Sequence, residues 1–149
     1  MIWVLSILGV ALSVAIAAAL YGWPKPELDA ARARAAYEAD HFLDKVEAAW
    51  ADGRRQVALL LLAGDEALGL VRVLGDRTVT RRLVPGVVKA VEESPQELVI
   101  RLDDLVLPKL RFALDGAEGE DEAAARIRAR LADLAASAGR ADRPAARAA

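Results

Sequence analysis

The chain opens with its longest stretch free of charge. Residues 1–23 contain no charged side chain, and only Ser6, Ser13 and Tyr21 carry hydroxyl groups there. About twenty apolar residues in a helix rise about 30 Å, which matches the hydrocarbon core of a bilayer, and a helix satisfies its own backbone hydrogen bonds. The pattern therefore predicts a transmembrane anchor over residues 1–23.

The ends of this stretch support the anchor. Trp3 lies near one boundary and Tyr21 and Trp23 lie near the other, where aromatic side chains settle at the headgroup level. Pro24 and Pro26 then end the helix. The sequence thus indicates a single span that stops before residue 26.

Basic residues set the expected orientation. None precedes the stretch, whereas Lys25, Arg32 and Arg34 follow it, which places the N-terminus outside the inner membrane and the C-terminal domain in the cytoplasm. The alternative is a cleavable secretory signal, because Ala17 and Ala19 form an A-x-A site, and cleavage would leave a periplasmic protein. Such signals begin with a basic region and have a shorter apolar stretch, so the anchor is favoured.

Beyond the prolines, apolar positions recur at helical spacing. Residues 27–50 contain no helix breaker, and we expect one juxtamembrane helix within a linker segment spanning residues 24–53. Its apolar stripe consists of Leu28, Ala31, Ala35, Ala39, Phe42, Val46 and Ala49.

From Arg54 onward, short apolar runs, several of them alternating, are separated by glycine and proline turns, which is typical of antiparallel strands. Gly75-Asp76 matches a hairpin turn, and Pro85-Gly86 matches a type II turn. The leucine-rich first run suits a strand buried on both faces. The predicted strands cover residues 55–63, 68–74, 77–84, 87–92, 97–102, 105–107 and 109–114.

The helical period returns over residues 120–138, where Ile127, Leu131 and Leu134 lie on one stripe. Residues 139–149 are small or charged and predict a disordered tail. Residues 54–138 therefore predict an α+β domain, an antiparallel sheet or open barrel of six or seven strands closed by a C-terminal amphipathic helix. The alternative is a sheet with both helices on one face.

This order of elements resembles the pleckstrin-homology-like domains of bacterial membrane proteins. The resemblance lies in the strand ladder ending in LPKLRFAL, the closing helix EDEAAARIRARLADLAASA and the preceding anchor. In that family two curved sheets form an open barrel, and the last helix plugs one end. It implies a scaffold that binds lipids, peptides or partner subunits, because fold alone does not fix a function.

The composition limits the kinds of binding site that the chain is expected to form. The 20 Lys and Arg against 22 Asp and Glu give a net charge of −2, which does not favour nucleic acid. There is no cysteine, and neither G-x-x-x-x-G-K-[ST] nor G-x-G-x-x-G occurs. His41 is the only histidine. We therefore expect no zinc or redox centre, no cofactor and no nucleotide site.

Catalytic groups are equally sparse. Outside the anchor the serines are Ser94 and Ser137, with no base near them in sequence. Asp103 and Asp104 end a predicted strand, where neighbours point to opposite faces, so a turn-capping role is favoured. We expect no enzyme activity. An enzyme whose acidic site forms only in three dimensions stays as an alternative.

Two sets of residues are candidates for binding. Gly9, Ser13 and Ala17 form a small-xxx-small spacing that lets membrane helices approach closely, which predicts contact with another membrane helix or a second copy. Basic residues recur through the first strands and form what we call the strand patch, a candidate for lipid or partner binding, unless they are ion-paired strand exteriors. The strand patch consists of Arg72, Arg77, Arg81, Arg82 and Lys89.

The leading expectation is a membrane-anchored interaction or scaffold module, an accessory subunit of a membrane protein assembly or a homo-oligomer. The alternative is a module that binds anionic lipid through the strand patch.

Overall fold

The computed structural model describes residues 2–21, 26–64 and 66–141. Its helices are α1 (Ile2–Tyr21), α2 (Ala30–Asp40) and α3 (Asp121–Ala141). Its strands are β1 (Val46–Ala51), β2 (Val57–Leu62), β3 (Leu68–Leu74), β4 (Arg77–Leu83), β5 (Val88–Glu93), β6 (Glu97–Leu102) and β7 (Lys109–Ala113). The α+β class with antiparallel strands is confirmed.

The first helix, α1, is twenty residues long and carries no charge. The exposed fractions of ten large apolar side chains of α1 run from 51 % at Ile16 to 91 % at Tyr21, and α1 has no substantial packing contact with another described element. Among the described residues, no helix meets the length and apolarity required to cross a membrane. The predicted roles of Trp23, Pro24 and Lys25 lie outside the described residues. The tail predicted from residue 139 begins too early, because α3 continues to Ala141; the rest of that tail lies outside the described residues.

The second helix is shorter than predicted. Asp29 caps its start by accepting a hydrogen bond from the Arg32 backbone N–H at 2.7 Å. At the other end, the His41 N–H donates to the Tyr37 carbonyl at 2.8 Å, and the helix stops there. The prediction of one helix over residues 27–50 is therefore wrong beyond Asp40.

The second half of that segment forms β1, which pairs antiparallel with β2. Alanine favours a helix in isolation, but β2 is buried along its whole length and needs a backbone partner on its outer edge. The pairing of Trp50 with Leu59 and of Ala51 with Ala58 supplies that partner. Tertiary pairing therefore overrides the local propensity.

The strands form two antiparallel sheets, one in the order β1-β2-β3-β4 and one in the order β5-β6-β7. The sheets are separate and are not closed into a barrel, which refines the expectation of one sheet or open barrel. The strand predicted at residues 105–107 is a loop that joins β6 and β7, because Pro108 precedes the first paired residue of β7.

The core has two layers, and β2 belongs to both. Its Leu59 and Leu61 face the second sheet and α3, whereas Leu60 and Leu62 face α2. This explains the continuous apolar run and confirms that β2 is buried on both faces. The predicted stripe of α3 is confirmed by three of its members, which lie in the inner layer: Ile127, Leu131 and Leu134.

α2 packs on the first sheet, and β1 is an edge strand of that sheet. The globular domain therefore begins upstream of residue 54, the boundary that the sequence predicts.

Candidate anion-binding site

A concave pocket of about 350 Å³ lies where the first sheet meets β7, the edge strand of the second sheet. The turn between β1 and β2, the end of β3 and the start of β7 line it. Four basic side chains and one acidic side chain contribute to the lining, together with Gln56 and apolar residues: Arg54, Arg72, Lys109, Arg111 and Asp52. We call this site the basic pocket.

Most of the positive charge in the basic pocket lacks a counter-charge. Arg111 Nη1 lies 3.7 Å from Glu97 Oε1. Within the described ranges, no ion pair or side-chain hydrogen bond involves Arg54, Arg72 or Lys109. Three cations converging on one concavity raise the local potential and favour an anion there.

The single carboxylate of the pocket is used by the turn itself. Asp52 is 2 % exposed, and its Oδ1 accepts hydrogen bonds from the backbone N–H groups of Gln56 at 2.8 Å and Val57 at 3.0 Å. In the same turn, Arg55 has a φ of 52°, in the left-handed region. Asp52 therefore fixes the turn from which Arg54 extends.

The chain that follows α1 is attached to this turn. The Leu28 backbone N–H donates to the Arg55 carbonyl at 2.9 Å. The Arg55 Nη1 also lies 2.9 Å from Glu27 Oε2, in an exposed ion pair. The basic pocket and the attachment point of α1 therefore share the β1–β2 turn.

The strand patch does not form one continuous surface. Arg72 lines the basic pocket, and Arg77 lies at the start of β4 opposite Leu74. The other three members are held beside carboxylates. Arg81 Nε lies 3.7 Å from Asp104 Oδ2, and Arg82 Nη1 lies 3.7 Å from Asp44 Oδ1. Lys89 Nζ lies 3.5 Å from Asp103 Oδ2.

Alternation along β4 explains the division. Because neighbouring residues in a strand point to opposite faces, Arg82 contacts Asp44 on the α2 side while Arg81 contacts Asp104 of the β6–β7 loop. Sequence reasoning missed Lys109 and Arg111 of β7, which lie outside the strand patch. In β7 the alternation places Leu110 and Phe112 in the core and leaves both basic side chains outside.

The β6–β7 loop, residues 103–108, presents two apolar side chains to solvent. The Leu105 side chain is fully exposed, and Val106 is 76 % exposed. Asp104 Oδ1 accepts the backbone N–H groups of Val106 at 2.8 Å and Leu107 at 3.3 Å. These two bonds, with a smaller contribution from Arg81, hold the pKa of Asp104 below its usual value.

The residues weighed for catalysis occupy structural positions. His41 stacks on Tyr37 with ring centroids 4.5 Å apart, and its Nε2 lies 3.4 Å from Thr80 Oγ1. The Tyr37 hydroxyl donates to Asp44 Oδ2 at 3.0 Å, and burial raises the pKa of Tyr37 well above its usual range. In the parts of the chain that the structure describes, no cluster of three or more His, Cys, Asp or Glu side chains is placed to hold a metal ion.

The two serines also bond locally. Ser94 Oγ donates to the Glu97 carbonyl at 3.0 Å, and Ser137 Oγ donates to the Leu134 carbonyl at 2.6 Å. Neither bond joins the serine to a histidine.

The predicted helix-contact residues Gly9, Ser13 and Ala17 lie at intervals of four residues along α1 and share one face. Ser13 Oγ donates to the Gly9 carbonyl at 2.8 Å, so the hydroxyl is satisfied inside the helix. Apart from its chain neighbours and the local backbone of the helix, no described atom lies within 4 Å of the position that a Cβ on Gly9 would take. The contact with a partner helix stays a prediction.

No family model matches the chain, and comparisons with curated proteins and with solved structures give no significant match. What the basic pocket binds is therefore argued from its own side chains.

Proposed function

We propose that this protein is a single-pass membrane-anchored interaction module, an accessory subunit in which α1 crosses the inner membrane. One observation carries the proposal. In α1, ten large apolar side chains are at least half exposed, and the helix has no substantial packing contact with another described element. Apolar surface of this extent is unfavourable in water and marks a contact with lipid or protein.

The proposal stands beside the finding that no described helix meets the criteria for a span. What supports a crossing is the absence of charge along the twenty residues of α1 and the exposure of its apolar side chains.

The anchor is tested by adding one charge to the middle of α1. In the full chain, Ala11→Arg should release the protein from membranes washed with alkaline carbonate, because a central arginine costs about 2.5–3.5 kcal/mol on insertion scales. The control is Ala136→Arg, on an exposed position of α3, which should stay in the membrane fraction. Release of the unmodified chain by the same wash would contradict the anchor.

Orientation needs a separate measurement. The chain contains no cysteine, so Ala136→Cys provides a unique label on α3. A membrane-impermeant maleimide should label it only after the inner membrane is opened, because the basic residues after the anchor favour the cytoplasm. A mature form beginning near Leu20, found in the periplasm, would instead establish the cleaved-signal alternative.

We also propose that the domain is pleckstrin-homology-like. Support comes from the chain order of a four-stranded sheet, a three-stranded sheet and a closing helix whose Ile127, Leu131 and Leu134 lie in the core. Such a scaffold suits binding rather than chemistry, and Asp103 and His41 are engaged in contacts that suit a structural role.

The interaction is tested on the shared face of Gly9 and Ala17. If that face contacts another helix, Gly9→Leu with Ala17→Leu should abolish cross-linking of the protein to itself or to a partner in native membranes. Val10→Leu with Val14→Leu is the control on a different face. A protein that is captured intact with no partner and no self-association would refute the interaction role.

A second candidate is an anionic-lipid-binding module. The basic pocket favours it, because Arg54, Arg72 and Lys109 line it and form no ion pair among the described residues. Binding to anionic vesicles should then weaken as salt rises.

A further inference from the structure

Three features lie around the contact between the first sheet and β7. Glu27 and Leu28, which follow α1, contact Arg55. Arg54, which precedes Arg55 in the turn, lines the basic pocket. The opposite wall of that pocket begins at Lys109, directly after the β6–β7 loop.

The length of the chain keeps the β1–β2 turn, which Glu27 and Leu28 contact, near the end of α1. Six peptide units join Tyr21 to Glu27, and even fully extended they reach about 20 Å. The headgroup layer adds several ångströms to the hydrocarbon core, and the field of an anionic surface extends roughly 10 Å beyond it. The basic pocket therefore lies within reach of lipid headgroups.

The side chains of the basic pocket and of the β6–β7 loop suit contact with an anionic lipid surface. Guanidinium and ammonium groups donate charge-assisted hydrogen bonds to phosphate oxygens, and Arg54, Arg72 and Lys109 have no competing acidic partner in the described part of the chain. In the loop that leads to Lys109, the exposed Leu105 and Val106 offer apolar side chains that water does not favour. Cations beside exposed apolar side chains match the layering of headgroup and acyl chain.

The loop is held in place before any contact. Asp104 accepts two backbone hydrogen bonds from Val106 and Leu107, and its Oδ2 lies 3.7 Å from Arg81 Nε of β4. An ordered loop loses less conformational entropy on binding than a flexible one.

We propose that the basic pocket and the β6–β7 loop form the face that the domain lays on the anionic bilayer holding α1. Arg54, Arg72 and Lys109 bind lipid phosphate, and Leu105 and Val106 enter the headgroup region. This inference rests on the proposed membrane anchor.

The test measures how deeply the β6–β7 loop enters the lipid bilayer. The full chain with Val106→Cys, labelled with an environment-sensitive fluorophore, is reconstituted into vesicles of phosphatidylcholine alone or with phosphatidylglycerol. We expect a blue shift that is larger in the anionic vesicles and is reduced by salt. Val106 is 76 % exposed, so the label leaves the core intact.

A matched pair of variants assigns the shift to the pocket. Arg54→Gln with Lys109→Gln should abolish the difference between the two vesicle types. The control, Arg126→Gln with Arg128→Gln, removes the same charge from α3, where both arginines are paired with glutamates, and should keep it. Equal loss in both double variants would overturn the role of the pocket.

Failure of this inference is distinguishable from failure of the anchor. A chain that resists carbonate extraction while its probe remains aqueous in both vesicle types overturns the inference and leaves the anchor in place. A shift equal in both vesicle types overturns lipid-charge recognition. A chain that never integrates overturns the anchor, and the inference with it.

Discussion

Two apolar segments of this chain, α1 and β2, meet opposite surroundings. Both lack charge, but β2 is buried at all six positions, whereas ten large apolar side chains of α1 are at least half exposed. Each β2 side chain contributes to the stability of the domain through one of two core layers. For α1 the same kind of side chain has no partner in the described domain, so its role concerns where the protein lies.

The largest effect should come from removing volume from β2. Leu59→Ala deletes a fully buried side chain between the sheets and should lower the free energy of unfolding by about 2–5 kcal/mol. Leu12→Ala in α1, where Leu12 is 62 % exposed, should leave domain unfolding unchanged. Thermal unfolding of the full chain in detergent compares them, and equal losses would break the distinction between the segments.

Two glycines provide a second contrast. A Cβ on Gly69, in β3, would lie 2.9 Å from Tyr37 Cε2 and 3.0 Å from Leu60 Cβ, so Gly69→Ala should destabilise the domain by about 1–3 kcal/mol. In α1, Gly9→Ala meets nothing within 4 Å and should not destabilise the domain. Denaturant unfolding measures both, and a neutral Gly69→Ala would show that Tyr37 moves aside freely.

Two tyrosines provide a smaller contrast. Tyr37→Phe removes the hydrogen bond to Asp44 and should cost about 0.5–1.5 kcal/mol in unfolding free energy. Tyr21→Phe, at a position 91 % exposed, should have no effect on the domain. A stable Tyr37→Phe variant would mean that the hydroxyl contributes nothing to the packing of α2.

The smallest effect should concern the β6–β7 loop, which exposes apolar side chains outside α1. The pKa of Asp104 should lie below the usual 3.8, chiefly because it accepts two backbone N–H bonds. With a depressed folded pKa, the bracing of the loop is present above the unfolded pKa and is lost as pH falls through the folded pKa. NMR titration of the carboxyl carbon and of the Val106 amide measures this, and Asp104→Asn should remove the transition. A pKa at or above 3.8 would contradict it.

Local patterns predicted the elements whose partners could be inferred from periodicity. The continuous leucines of β2 indicated burial on both faces, and the spacing of Ile127, Leu131 and Leu134 indicated the core stripe of α3. The alanine-rich segment that forms β1 was predicted to be helical. It forms a strand because its conformation depends on pairing with β2 rather than on its own propensity.

The basic pocket was harder to predict for a different reason. Arg54, Arg72 and Lys109 come from three segments distant in sequence, and only the packing of β7 against the first sheet brings them together. Grouping arginines by strand instead joined Arg72 with Arg82, which alternation places on the α2 side.

The fastening of Glu27 and Leu28 to Arg55 has a mechanical consequence. A tilt or pull on α1 would be transmitted first to the β1–β2 turn, whose Arg55 already adopts a left-handed backbone conformation. Movement of α1 would therefore shift the position of Arg54. A pull on the segment that joins α1 to the domain would then change the shape of the basic pocket.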